Sequence, residues 1–100
     1  MKERELQRKV NEFLRKANVF FYHPRETKKG TDGIPDIIAC INGRFIAIEL
    51  KSPEVKNPEK HLRPEQETVR DKIIRSGGIY FISNDFDKIV DFINFQIKHI

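Results

Sequence analysis

The 100-residue sequence predicts an α/β (α+β) fold in which one mixed sheet is flanked by helices. Three observations carry that expectation. Helical and strand periodicities succeed one another in the order α-β-β-β-α-β-α. Asn42-Gly43 joins two apolar runs, and this dipeptide is the strongest short-range hairpin signal because both central residues of such a turn need positive φ. A helical segment separates the third strand from the fourth, and a crossover of that kind favours parallel pairing.

Each element has its own local reason. Residues 3–17 read as an amphipathic helix, with Leu6, Val10, Phe13, Leu14 and Ala17 on one face. Residues 19–22 are aromatic and β-branched, which favours a short strand, and His23-Pro24 ends it. Residues 24–34 are polar, with Arg25, Lys28, Lys29, Gly30 and Gly33, and read as a loop. Residues 36–41 and 44–50 are the two strands of the Asn-Gly hairpin, so the first three strands form an antiparallel meander. Residues 52–62 hold two prolines and mixed charge and form a second loop. Pro64 suits the first turn of a helix whose apolar face carries Val69, Ile73 and Ile74, and Gly77-Gly78 stops it. Residues 79–83 are the fourth strand. Asp85 then opens a last helix with Phe86, Ile89, Val90, Ile93 and Ile97 on its buried side.

Composition excludes several function classes. A single cysteine, Cys40, rules out a disulfide framework and every cysteine-rich zinc pattern; it sits in an apolar strand and reads as core. No apolar run reaches the roughly 18–20 residues of a membrane span, and the N-terminus opens charged, without a signal-peptide core. A cytoplasmic setting is expected. There is no phosphate-binding Walker loop, dinucleotide fingerprint or nucleophile elbow. The expectation is one domain over residues 1–100, since domains rarely fall below about 50 residues. Net charge is +4, but it is unevenly spread. Residues 1–29 hold nine bases and four acids, whereas residues 30–50 hold one base and three acids. An acidic spot thus lies in the most apolar part of the chain, between basic stretches.

That spot contains the candidate chemistry. Asp36 and Glu49 lie at equal distances from the Asn42-Gly43 turn, so hairpin pairing sets them opposite each other. Alternation puts Glu49 and Lys51 on one face and Leu50 on the other. Two converging carboxylates repel unless a proton or cation lies between them, and oxygen ligands favour Mg²⁺ or Mn²⁺ over zinc. The plainer alternatives are a strand-entry turn at Asp36 and a same-face ion pair between Glu49 and Lys51.

Asp36, twelve intervening residues and then Glu49-Leu50-Lys51 resembles the PD-(D/E)XK nuclease signature, with Pro35-Asp36 literally present. The element order resembles that superfamily's restriction-endonuclease-like α-β-β-β-α-β core, to which this chain adds a C-terminal helix. A glutamate in the first helix, Gly33-Ile34-Pro35-Asp36 and a helix entered through Pro64-Glu65-Gln66 make the chain similar to stand-alone VRR-NUC nucleases of phages and bacteria, and to archaeal Holliday-junction resolvases. The resemblance spans roughly residues 3–84.

It implies that Asp36, Glu49 and the Leu50 carbonyl hold the metal, and that Lys51 stands beside the attacking water. Gln66 falls one turn before Val69, on the face directed at the sheet, and a buried amide needs partners; the resemblance makes it part of the site, while the alternative is a surface glutamine. Glu3 lies near the middle of the Leu6–Val10–Phe13 stripe and matches the family's N-terminal acid; otherwise it is an exposed helix start. Glu5 falls on the far side and is solvated.

Arg25, Thr27, Lys28, Lys29 and Thr31 in the first loop, and Lys56, Lys60 and Arg63 in the second, are candidates to grip DNA phosphates, or else are solvated loop residues. His23, His61 and His99 lack metal-pair spacing and read as structural or surface residues, with His61 placed to touch DNA. Phe20, Phe21, Phe81, Phe86, Phe92 and Phe95 read as core or interface rather than base-stacking platforms.

The implied function is a structure-selective, metal-dependent DNA endonuclease that cleaves four-way junctions to 5′-phosphate and 3′-hydroxyl ends. It would act as a homodimer in a bacterial or phage-infected host cell, with Phe92, Phe95, Ile97 and Ile100 of the last helix as the interface. The alternatives are a nuclease acting on flapped, nicked or linear DNA, and a catalytically silent DNA-binding module.

Overall fold

Helix α1 (Glu3–Lys16) forms where Leu6, Val10 and Leu14 recur every fourth residue, and all three are fully buried. Its acids, Glu3 and Glu5, stand in the first turn and its bases, Arg15 and Lys16, in the last, matching the helix dipole. The structure is a computed structural model and describes residues 2–25 and 32–99. After α1 come strands β1 (Phe20–Tyr22), β2 (Ile37–Ile41) and β3 (Arg44–Leu50), and a single 3₁₀ turn at Pro58–Lys60. Helix α2 (Pro64–Arg75), strand β4 (Ile79–Ser83) and helix α3 (Phe86–Lys98) complete the described chain.

The four strands form one mixed sheet in the order β1-β2-β3-β4. β1, β2 and β3 are antiparallel neighbours, and β4 runs parallel to β3 after the α2 crossover. Asn42 (φ 52°) and Gly43 (φ 76°) make the tight turn that sets the β2–β3 register, from Ile41 opposite Arg44 to Ile37 opposite Ile48. One further step brings Asp36 opposite Glu49.

The odd residues of β2 and the even residues of β3 face α1 and α3. There Leu6, Val10, Leu14, Ile37, Ile46, Ile48, Ile89 and Ile93 form a dry core. α2 lies on the other face, against β4. Helices thus stand on both sides of the sheet, and α3 is the C-terminal helix, as in a restriction-endonuclease-like core. Among the described residues, no helix is long and apolar enough to cross a membrane.

Several sequence expectations are corrected. β2 starts at Ile37 rather than Asp36, because the Asp36 N–H is turned to the Glu49 carboxylate, 3.3 Å away. α1 stops at Lys16, with Ala17 as its cap. Cys40 is exposed, since its strand position faces away from the α1–α3 core. Phe20 lies on that same outer face and is 70% exposed. Ile74 is exposed because α2 touches the sheet only along a narrow stripe, and Phe95 and Ile97 are exposed in the last turns of α3. Thr27, Lys28, Lys29, Gly30, Thr31 and Ile100 lie outside the described residues.

α3 is tied at both ends. Asp85 caps its start by accepting from the Asp87 and Lys88 N–H groups. At its end the Asn42 amide donates to the Gln96 and Ile97 carbonyls at 2.9 and 2.7 Å, and the Arg44 guanidinium donates to Gln96 and His99. The hairpin therefore neutralises the carbonyl end of the last helix. Arg44→Ala should lower unfolding free energy by about 1–3 kcal/mol, because charge-assisted bonds are lost at a helix C-terminus; urea denaturation measures it, and an unchanged midpoint refutes the clamp.

Candidate active site

Where β2 begins and β3 ends, the sheet opens into a polar cavity of about 520 Å³. Its lining includes Glu3 and Gln7 from α1, His23 just after β1, and Asp36 before β2. Glu49 and Leu50 of β3, Lys51, Arg63 and Gln66 complete the opposite wall. Glu49 is only 4% exposed, although it carries a carboxylate.

Bonds from three elements hold these groups. The Leu50 N–H donates to Asp36 Oδ2 at 2.7 Å, across the mouth of the hairpin. Gln66 Nε2 donates to Glu49 Oε2 at 2.9 Å. Lys51 Nζ lies 3.6 Å from that same oxygen and donates to Gln66 Oε1 at 3.2 Å. Gln66 Oε1 also accepts the Arg63 N–H at 2.9 Å, which closes the first turn of α2. The buried glutamine is thus both a helix cap and the link between Glu49 and Lys51.

Electrostatics follow from burial. Loss of solvent, reinforced by the Asp36 charge, pushes the Glu49 carboxyl up to about 8, against the opposing pull of Lys51. Burial also raises Asp36, although the Leu50 N–H, Glu49, Lys51 and His23 act the other way. The Asp36 charge and the loss of solvent both disfavour ionised Glu49, so Glu49 keeps its proton to higher pH than an ordinary glutamate. Glu3, at the cavity rim, is raised by partial burial and by Asp36.

A divalent cation answers the same electrostatic demand as that proton. Among the described residues, no three His, Cys, Asp or Glu side chains gather into a ready-made ligand set. Two carboxylates and a backbone carbonyl suit an ion that completes its shell with water and phosphate oxygens, as Mg²⁺ does. The donor set present therefore fits Mg²⁺ or Mn²⁺ held by Asp36, Glu49 and the Leu50 carbonyl.

Of the residues singled out from sequence, Glu3, Asp36, Glu49, Lys51, Arg63 and Gln66 line one cavity. Arg25, Lys56 and Lys60 are exposed and stand outside its lining, and Glu5 is exposed on α1. Thr27, Lys28, Lys29 and Thr31 fall among the undescribed residues.

His23 and Gly33 receive no role of their own in the site from the sequence. His23 lines the cavity, and its Nδ1 lies 3.0 Å from the Asp36 carbonyl oxygen and 3.2 Å from the Gln7 amide. Its place depends on the β1–β2 register, which no local motif signals. Gly33 has φ +72°, and a Cβ there would lie 2.3 Å from the Glu65 carbonyl oxygen. Only glycine lets the segment before Asp36 press on the first turn of α2, which brings Gln66 to the carboxylates. The signal was its place in Gly33-Ile34-Pro35-Asp36.

No protein-family model matches the chain. Over 76 residues, 74% of its length, it is 40% identical to the Crossover junction endodeoxyribonuclease Hjc of Sulfurisphaera tokodaii, of which the match covers 51%. It is also 29% identical over 73 residues to Protein NLP2 of Oryza sativa subsp. japonica, a match covering 8% of that protein. The chain thus spans about half the length of the first relative and a small part of the second. The first likeness supports a nuclease.

Two outcomes test the geometry. The raised Glu49 pKa stabilises the fold while the pair is protonated, and that contribution is lost as pH rises from the ordinary glutamate value, 4.5, through about 8. In EDTA the melting temperature should therefore fall by about 5 °C or more between pH 5 and 8, and Mg²⁺ should restore it. Glu49→Gln should flatten the profile, whereas a wild-type melting temperature that stays level or climbs would refute the raised Glu49 pKa. Gly33→Ala should cost more than about 2 kcal/mol, from positive φ and backbone overlap together; calorimetry showing an unshifted transition would contradict the close approach.

Proposed function

We propose that this chain is a PD-(D/E)XK endonuclease of the VRR-NUC type, forming a single domain over residues 1–100. On this reading it hydrolyses DNA with Mg²⁺ or Mn²⁺ and selects branched substrates, four-way junctions above all. The observation that carries the reading is the buried Asp36–Glu49 pair, bridged to Lys51 through Gln66 within one open cavity. Likeness to a crossover junction endodeoxyribonuclease over 74% of the chain supports the substrate class.

Asp36, Glu49 and the Leu50 carbonyl would hold the ion. When bound, it polarises a phosphate oxygen and lowers the pKa of a coordinated water. The remaining work falls to the chain. Lys51 keeps its ammonium at the carboxylate pair, orients the attacking water and offsets charge building on the phosphorus. Gln66 fixes both Lys51 and Glu49, so neither must reorganise during the reaction. Glu3 stands across the cavity and can accept a hydrogen bond from the water. Attack opposite the 3′-oxygen breaks the phosphorus–O3′ bond, leaving a 5′-phosphate and a 3′-hydroxyl that has gained a proton. Arg63 on the rim, with Arg25, Lys56, Lys60 and the first-loop Thr27, Lys28, Lys29 and Thr31, would bind flanking phosphates, which position the backbone without reading sequence.

Paired cuts at a two-fold junction suit a homodimer, for which the last helix, with Phe95 and Ile97 exposed, is the candidate interface. In Mg²⁺, wild type should cut a labelled four-way junction faster than a linear duplex of the same arms. Asp36→Ala and Lys51→Ala should each lose about 100-fold or more, and Gln66→Ala a smaller factor. Unchanged cleavage by Asp36→Ala would remove the site; equal cutting of flapped, nicked and linear DNA would keep the nuclease but replace its substrate.

A further inference from the structure

The sheet face that ends in Asp36 and Glu49 continues beyond them. Alternation carries it through Ile38 and Cys40 on β2 and through Ala47 and Phe45 on β3. β1 adds Tyr22 opposite Ile38 and Phe20 opposite Cys40. α2 covers the β4 side and leaves this half open. Phe20, Tyr22 and Phe45 are 70%, 49% and 49% exposed. Between them lies a groove of about 360 Å³ whose lining contains no charged side chain. The Phe20 and Tyr22 rings are 6.4 Å apart and inclined by 52°, so neither hides the other's face. On the far side of Phe45, the adjoining hollow carries Lys72 of α2.

We propose that this half of the sheet is a stacking platform for unpaired nucleobases of the DNA strand whose phosphate sits at Asp36 and Glu49. The proposal rests on the nuclease reading and deepens it by naming what is recognised. From Glu49 to Phe45 is four strand residues, roughly 13 Å, or about two to four nucleotides between extended and stacked. Open aromatic faces in an uncharged groove suit bases, with a metal-binding carboxylate pair at one end and a lysine at the other for the phosphates. Stacking accepts any base, because every base has a π-face. Bases at a branch point can leave the helix, whereas those within a linear duplex are held by pairing. The platform thus selects DNA structure without reading sequence. A second copy of the chain would need only apolarity from this face, and would not need rings.

That difference sets the experiment. The full-length triple variant Phe20→Leu, Tyr22→Leu and Phe45→Leu keeps the face apolar and removes the rings. In EDTA it should bind labelled oligo-dT and a four-way junction at least about tenfold more weakly than wild type, with linear duplex binding little changed. Unchanged oligo-dT binding overturns the proposal. So does a wild-type dimer in sedimentation that the Leu variant keeps and the corresponding Ala triple loses.

A second readout does not depend on how the triple variant folds. The chain has no tryptophan and two tyrosines, so in Tyr80→Phe the emission comes from Tyr22 alone. Oligo-dT should quench it, and unaltered emission at saturation overturns the platform. Tyr22 quenching in a protein that cuts no DNA would sink the nuclease reading and leave the platform standing; cleavage without quenching does the reverse.

Discussion

Two carboxyl groups facing each other across a hairpin, away from water, are the constraint around which this molecule is arranged. Ionised together they repel strongly, and burial removes the solvent that would screen them. Four groups around the pair answer that problem. The Leu50 N–H points at Asp36, the Asp36 N–H and the Gln66 amide point at Glu49, and Lys51 brings a positive charge within 3.6 Å. These donors stop short of full compensation, which is why Glu49 stays protonated to unusually high pH. A half-answered charge problem is what a cation-binding centre requires.

The rest of the fold acts as scaffolding for that pair. The Asn42-Gly43 turn fixes a register that places Asp36 and Glu49 opposite each other without any further device. The dry core under the sheet, built from α1 and α3, leaves β2 and β3 no freedom to slip, since a one-residue shift would turn Ile37, Ile46 and Ile48 out of it. The same hairpin grips the end of α3 through Asn42 and Arg44, so the strands that position the carboxyl pair are also anchored to the last helix. Gly33 supplies a close backbone approach that docks α2 beside the pair.

The two faces of the sheet have different duties. One is sealed by two helices and contributes rigidity. The other is half covered: α2 shelters Glu49 through Gln66, while the β1–β2 side remains open with aromatic rings in solvent. The Asp36–Glu49 pair lies at the boundary between the covered and open halves. There a carboxylate is buried deeply enough to shift its pKa, yet still lines an open cavity.

Local order was legible from the residues themselves. Periodicity and turn chemistry are short-range, so the element sequence, the Asn-Gly hairpin, the Pro64 and Asp85 helix starts and the opposition of Asp36 and Glu49 could all be read directly. The inward face of Gln66 followed from helical spacing. What spacing cannot express is which part of a face another element covers. Cys40, Phe20 and Ile74 looked like core residues because their neighbours are apolar, and they are exposed because α2 spans only the β4 side of its face. His23 and Gly33 acquired their roles from contacts with residues distant in sequence, the Asp36 carbonyl and the first turn of α2. The sequence by itself determined which chemical groups pair across the hairpin, because that pairing is set within a single turn. Only the tertiary structure decided which of them lose water and which surface stays open, because solvent exclusion depends on how far the helices reach over the sheet.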